Sequence, residues 1–356
     1  SEVPPAALGP QRRGSRPRCR LPQIGLDLAK TIFQVHGVDA EGGVVIRRRL
    51  RRAEVAKFFA GLAPCLVGME ACAGAHYWAR TITELGHEVR LMPPAYVKPY
   101  VRRQKNDLAD AAAICEAVTR PSMRFVPIKG EAQQAMLLIH RARDLLVRQR
   151  TSLINALRAH LAEFGVVVPK GAQHGRRLIT MLLTGETFGM PASAVPVLLG
   201  LARRCRALAA ETAELEREMR RRSTEDEGVQ RLLKVPGVGP ITATALAATI
   251  PDANAFRSAR EFAAWLGLVP RQSSSGGRER LGGITKMGHA YLRRLLVLGA
   301  QAVLRQAARG PDHATPWLSR LLREKPRKVA AVALANKTAR IVWALLARGE
   351  AYRLAA

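Results

Sequence analysis

Ile24-Gly25-Leu26-Asp27-Leu28-Ala29 sets one carboxylate inside an apolar run, and the reading of that run decides the fold. It reads as a strand. Two more follow, Ile32–Val38 and Val44–Leu50, joined by the turn Asp39-Ala40-Glu41-Gly42-Gly43. A helix is predicted over about 53–61, then a short strand Leu66–Met69 closed by Glu70. A second helix over about 75–85 stops at Gly86, and Glu88–Met92 supplies another strand. Three antiparallel strands followed by α/β alternation predict a mixed sheet covered by helices. Asp107-Leu108-Ala109-Asp110 opens a further helix over 107–119, able to pack across that sheet.

Composition narrows the function. The chain has 356 residues, enough for two or three domains, and 48% hydrophobic content is ample for real cores. Lys and Arg number 57 against 28 Asp and Glu, a net charge of +29. Such an imbalance is the footprint of a polyanion binder, because neutralising phosphates releases condensed counterions. No apolar run approaches the roughly 18 residues of a bilayer span, so no membrane role is expected. Five cysteines without a Cys-x-x-Cys pair indicate neither a disulfide framework nor a zinc site. The expected setting is a reducing cytoplasm. Residues 1–22 read as a flexible basic arm, 23–128 as the α/β domain, 129–227 as a long-helix segment and 228–356 as a C-terminal block.

In the long-helix segment, Leu198, Leu201, Cys205, Leu208, Thr212, Leu215 and Met219 alternate in steps of three and four. That spacing is a coiled-coil seam. A helix over about 131–164 can partner it, with 165–195 bending the chain back. Self-association is placed modestly ahead of an intramolecular hairpin.

Three groups of residues could carry chemistry. Asp27, Glu70, Asp107 and Asp110 could converge over one sheet edge, the two helical aspartates sharing a face at i, i+3. Clustered carboxylates repel unless a cation neutralises them, and Mg²⁺ prefers such hard oxygen ligands beside phosphate. The plain alternative makes Asp107 a helix cap and Asp110 a partner of the helix dipole, but it accounts for neither Asp27 nor Glu70. Val235-Pro236-Gly237-Val238-Gly239-Pro240 precedes a helix over Ile241–Ile250. It resembles a helix-hairpin-helix grip on the DNA backbone, with Gly237 and Gly239 admitting a phosphate; a simple Gly/Pro turn is the alternative. Gly267 to Arg280 holds Ser273-Ser274-Ser275-Gly276-Gly277 between Arg271, Arg278 and Arg280. A serine there could attack phosphorus, although the residues alone favour a flexible linker. Lys286, Arg293 and Arg294 are candidate phosphate contacts or a solvated basic face.

These motifs, with Gly68-Met69-Glu70-Ala71-Cys72, Lys105-Asn106-Asp107-Leu108-Ala109-Asp110-Ala111 and Val332 to Arg340, resemble those of the DEDD insertion-sequence transposases. The likeness is to the IS110 family and its IS1111 group, and it runs from residue 23 to the C-terminus. The resemblance implies an N-terminal RuvC-like (ribonuclease H) domain, a coiled-coil helical segment and a helical C-terminal transposase domain. It implies a recombinase acting on donor and target DNA, guided by a structured bridge RNA, with Mg²⁺ and a homo-oligomeric assembly. The DEDD quartet maps onto Asp27, Glu70, Asp107 and Asp110. The serine that links covalently to DNA maps onto Ser275, with Ser274 as second candidate. His289 departs from the Asp or Asn expected of relatives. The competing reading is a RuvC-like structure-specific endonuclease using water.

Overall fold

The computed structural model describes residues 23–101, 107–274, 276–310 and 314–353. The arm before residue 23 and Ser275 therefore lie outside the described residues. The chain divides into two compact units, Ser1–Gly130 and Glu131–Ala356.

In the first unit, β1 (Gln23–Asp27), β2 (Ile32–Val38), β3 (Val44–Arg51), β4 (Leu66–Glu70) and β5 (Glu88–Met92) form one sheet in the order β3-β2-β1-β4-β5. β1 runs antiparallel to β2 and parallel to β4. The helices are α1 (Val55–Ala60), α2 (Ala75–Glu84), the short α3 (Pro94–Val97) and α4 (Asp107–Ala117). Strand alternation sends Ile24, Leu26, Phe33, Val35, Val67 and Met69 to one face. There they bury against Phe59, Trp78, Ala79 and Ile82 of α1 and α2. Each large side chain fully buried this way contributes about 1.5–3 kcal/mol relative to exposure. On the other face, Met92, Ala113, Ile114 and Val118 form a smaller core around α4.

Contact between α4 and β1 depends on a missing side chain. A Cβ at Gly25 would lie 2.1 Å from the Ala111 carbonyl oxygen and 2.4 Å from the Cys115 amide nitrogen. Gly68 on β4 plays the same part, since a Cβ there would meet Val118 at 2.8 Å. The amide of Gln23 donates to the Cys115 carbonyl and fixes the helix along its strand. Helix α4 thus lies almost backbone to backbone on β1.

The second unit is helical: α5 (Glu131–Ala162), α6 (Ala172–Leu183), α7 (Val195–Glu225), α8 (Glu227–Leu233), α9 (Pro240–Thr249), α10 (Ala259–Trp265), α11 (Ala290–Ala307), α12 (Pro316–Glu324) and α13 (Arg327–Arg348). A two-stranded hairpin of β6 (Pro270–Gln272) and β7 (Leu281–Ile284) interrupts them. Helix α6 lies within the stretch read as a bend. The seam of α7 is buried inside the unit: Leu198, Ala202 and Cys205 pack with Leu157 and Leu161 of α5 and Leu178 and Leu182 of α6. Part of that seam is thus satisfied within the chain, while Leu201, Leu208 and Leu215 are only half-buried. A heptad pattern states that a face is covered, and here α5 and α6 of the same chain cover its N-terminal part. Nor do compact units part at residue 228. Met136 of α5, Met219 of α7 and Ala248 of α9 share one cluster, and the Asp226 carboxylate accepts from the Val229 amide at the junction of α7 and α8.

Helix α13 alone among the described residues has the length and hydropathy of a membrane span. Its Ala330, Ala335, Ala339, Val342 and Leu345 are buried in the helical cores, and Lys337 and Arg340 interrupt the exposed side.

A buried polar knot joins α5, α9 and α11. Thr244 Oγ1 gives its proton to the Pro240 carbonyl at 2.7 Å, so it accepts from His140 Nε2 at 3.1 Å. That leaves His140 Nδ1 to accept from the Tyr291 hydroxyl at 3.0 Å. Burial, with a smaller push from Arg143, lowers the His140 pKa to about 4 from 6.5. A histidine held neutral contributes stability that is complete above 6.5 and is lost as pH falls from there through 4, because the unfolded chain binds the proton first. The full effect is about 3 kcal/mol. Between pH 7 and 4.5 the thermal midpoint of the wild type should therefore drop more than that of His140→Gln, which starts lower at pH 7. Equal drops of the two midpoints across that window would overturn this role for His140.

Candidate active site

Asp27 is the last residue of β1 and Glu70 the last of β4. The strands are parallel with Leu26 beside Met69, so both carboxylates leave the sheet at the same edge and both are half-buried. Because α4 lies so close on β1, its first turn brings Asp107 and Asp110 to that edge. Carboxylate oxygens of Asp27, Asp107 and Asp110 fall within 4.8 Å of one another. Glu70 stands outside that 4.8 Å group, on the neighbouring strand end. Its charge and that of Asp27 nevertheless both reach Cys72, whose thiol pKa is pushed up by burial first and then by these two carboxylates.

Three carboxylates this close repel one another strongly. The N-terminus of α4, where Asp107 and Asp110 occupy the first turn, offsets only part of that repulsion. The donor set is hard oxygen throughout, which suits a divalent cation and disfavours thiolate-seeking metals. Asp27, Asp107 and Asp110 fit as its ligands, with Glu70 adjoining.

The described residues on either side of Ser275 belong to a hairpin. Ser273 N–H donates to the Arg280 carbonyl at 2.9 Å. Ser274 Oγ accepts from Gln272 Nε2 at 3.1 Å and from the Arg280 amide at 3.3 Å. Gly276 and Gly277, at φ of 58° and 75°, turn the tip in the left-handed region that favours glycine. Arg271, Arg278 and Arg280 are exposed on this hairpin, as is Lys286 just beyond it. The other two candidate phosphate contacts have partners within the chain, Arg293 half-buried and Arg294 exposed. Arg293 donates to the carbonyls of Leu266 and Met287 at 2.8 and 3.1 Å, and Arg294 pairs with Asp144. His289 caps α11, its Nδ1 accepting from the Leu292 amide at 3.2 Å.

In the Val235–Pro240 turn the two glycines divide their work. Gly237, at φ 84°, faces the α11 backbone, and a Cβ there would lie 2.9 Å from the Gly299 carbonyl oxygen. Gly239 has open space around it, directly ahead of α9. Its amide end is the one available to a phosphate.

Sequence reasoning does not single out Gly25 or Gln34. The signals were present, a glycine two residues before the aspartate and one amide inside the apolar strand Ile32–Val38, but each needs the strand pairing to acquire meaning.

A family model of DEDD IS110 transposases matches residues 24–166. A second, described as the transposase IS116/IS110/IS902 family, matches residues 229–314. The chain is 52% identical over 94% of its length to a Pseudomonas aeruginosa protein called "Probable family 20 transposase", 99% of which is covered. It is 42% identical to the transposase for insertion sequence element IS1328 of Yersinia enterocolitica, over 92% of this chain and 98% of the relative. To the transposase for insertion sequence element IS1111A of Coxiella burnetii it is 40% identical, over 94% and 92%. With a carboxylate cluster suited to a divalent metal at its sheet edge, and these relatives along nearly its whole length, the chain belongs to the IS110/IS1111 family of DNA transposases.

Proposed function

We propose that this transposase cuts and rejoins DNA strands at the ends of its insertion sequence by a joint action of carboxylates and serine. The convergence of Asp27, Asp107 and Asp110 within 4.8 Å carries the reading. The strand order β3-β2-β1-β4-β5, with the first three antiparallel, supports a RuvC-like (ribonuclease H) assignment for the first unit. Asp27, Glu70, Asp107 and Asp110 hold Mg²⁺. When bound, that ion polarises the scissile phosphate and draws off developing negative charge. The Ser275 hydroxyl attacks phosphorus and loses its proton. A phosphoserine ester forms, the bond to the DNA 3′-oxygen breaks, and that oxygen takes up a proton. A 3′-hydroxyl from the exchange partner reverses the step without external energy. Ser274 Oγ, already accepting two hydrogen bonds, is the less available nucleophile. Arg271, Arg278, Arg280 and Lys286 steady the phosphate on the hairpin side, and Gly239 ahead of α9 grips backbone. A structured bridge RNA pairs with donor and target DNA and selects the sites, and the reaction runs in a homo-oligomer on the bacterial nucleoid.

The test uses purified protein, RNA transcribed from the element's flank, and supercoiled donor and target plasmids with Mg²⁺. A covalent protein–DNA adduct should form, depend on the RNA, and vanish in Ser275→Ala. Full strand exchange by Ser275→Ala combined with Ser274→Ala would remove the serine from the mechanism. Free 5′-phosphate ends without an adduct would instead identify the water-using endonuclease.

A further inference from the structure

The register of the sheet extends the carboxylate site sideways. Asp27 on β1 pairs with Gln34 on β2, and Gln34 pairs with Arg49 on β3. Residues paired directly across strands share a face. Glu70, Asp27, Gln34 and Arg49 therefore form one row on the face where α4 docks. Along β3, Arg47 and Arg51 lie two residues to either side of Arg49 and share that face, at intervals of about 7 Å.

These three arginines are exposed. None takes part in the ion pairs of the described residues. Their neighbours on the opposite face are occupied: Arg48 lies over the Phe58 ring, and Arg52 lies over Phe33 and Trp78. Arg47 is near enough to His36 to add to the burial that lowers its pKa. Gln34, only 4% exposed, has a buried Oε1 with no hydrogen-bond partner among the described residues. A polar bridge thus fills the gap of two strand spacings, about 10 Å, between Asp27 and Arg49.

We propose that Arg47, Arg49 and Arg51 form a ladder that binds the phosphodiester backbone of the DNA strand being cut, beside the carboxylates. The proposal rests on the DNA-cutting reading above and adds to it a positioning surface on the first unit. Guanidinium forks take phosphate oxygens bidentately, and such contacts set register without reading sequence. The cleaved strand is favoured over a guide RNA as the occupant because the ladder continues the row that begins at the metal-binding carboxylates.

The test compares full-length wild type with R47Q/R49Q/R51Q, binding a duplex from the element's end across a salt series. Each lost phosphate contact flattens the dependence of log affinity on log salt by about 0.9, so the triple variant should be shallower by about 2.7 and at least about tenfold weaker at moderate salt. Phosphate-ethylation interference should lose its signal next to the cleaved bond. If the triple variant fails to fold, Arg49→Gln alone should flatten the slope by about 0.9. An unchanged DNA slope, interference lost only far from the cleaved bond, or a loss confined to the flanking RNA would each overturn the ladder. Wild-type cleavage, run in parallel with metal, separates the two claims. No cleavage with the slope loss intact would sink the cutting reading and leave Arg47, Arg49 and Arg51 as backbone contacts to the element's end beside the carboxylates.

Discussion

Asp27→Asn should abolish DNA cleavage while leaving the protein folded. The substitution keeps the side-chain shape and removes one charge from the 4.8 Å group. A carboxylate that helps hold the metal is worth several kcal/mol in the transition state. The expected loss is about 1000-fold or more in the cleavage rate. Removing one of several repelling charges should leave the thermal midpoint of the metal-free protein unchanged or raise it. Chelating the divalent ion should silence the wild type to the same degree, and adding it back should restore activity to the wild type alone. A variant that still cuts at the wild-type rate would dissociate Asp27 from the chemistry. A variant that unfolds would assign it to the fold instead.

Gly25→Ala is expected to do comparable damage by a different route. The new methyl would overlap the Ala111 carbonyl at 2.1 Å and the Cys115 amide at 2.4 Å. Both atoms belong to helical backbone, so no side-chain rotation can relieve the clash. Helix α4 must move off β1, and its first turn carries Asp107 and Asp110 with it. A stability loss on the order of 3 kcal/mol is expected, along with loss of cleavage, since the carboxylates would part from Asp27. Denaturant midpoints and cleavage assays together check this. The clash at Gly68 is shallower, 2.8 Å from the Val118 Cβ against 2.1 Å from a helix carbonyl at Gly25, so Gly68→Ala should be milder. Equal effects at the two glycines would argue against a backbone mechanism.

The carboxylates were legible in the sequence because a charge inside an apolar strand is a local signal. Asp27 and Glu70 each end a short run of buried residues, and Asp107 and Asp110 are spaced to share a helical face. What brings them together is not local. Gly25 is silent until α4 is placed over it, and the Gln34–Arg49 row exists only once β1, β2 and β3 are in register. The α7 seam shows the reverse limit: its period was readable from Leu198 to Met219, but the period could not say that α5 and α6 pack on its Leu198–Cys205 end. The β6–β7 pairing was not legible because Gly276, Gly277, Gly282 and Gly283 suppress strand propensity, whereas cross-strand hydrogen bonds still draw the two strands together. Arg293 read as a surface cation because composition says nothing of the Leu266 and Met287 carbonyls it meets, whereas Arg294 is exposed and pairs with Asp144.

β3 is the outer strand of its sheet, and an outer strand offers unpaired backbone groups to any other strand that approaches. Its opening residues Val44 and Val45 are exposed and β-branched, the kind of start that invites such an approach. The four arginines that follow, Arg47, Arg48, Arg49 and Arg51, oppose it: a second copy would have to lay its own arginines alongside them. The same charges therefore guard against fibril-like stacking of free protein. Strains making the arginine-poor variants should accumulate more of the chain in inclusion bodies, and the more so the higher the expression.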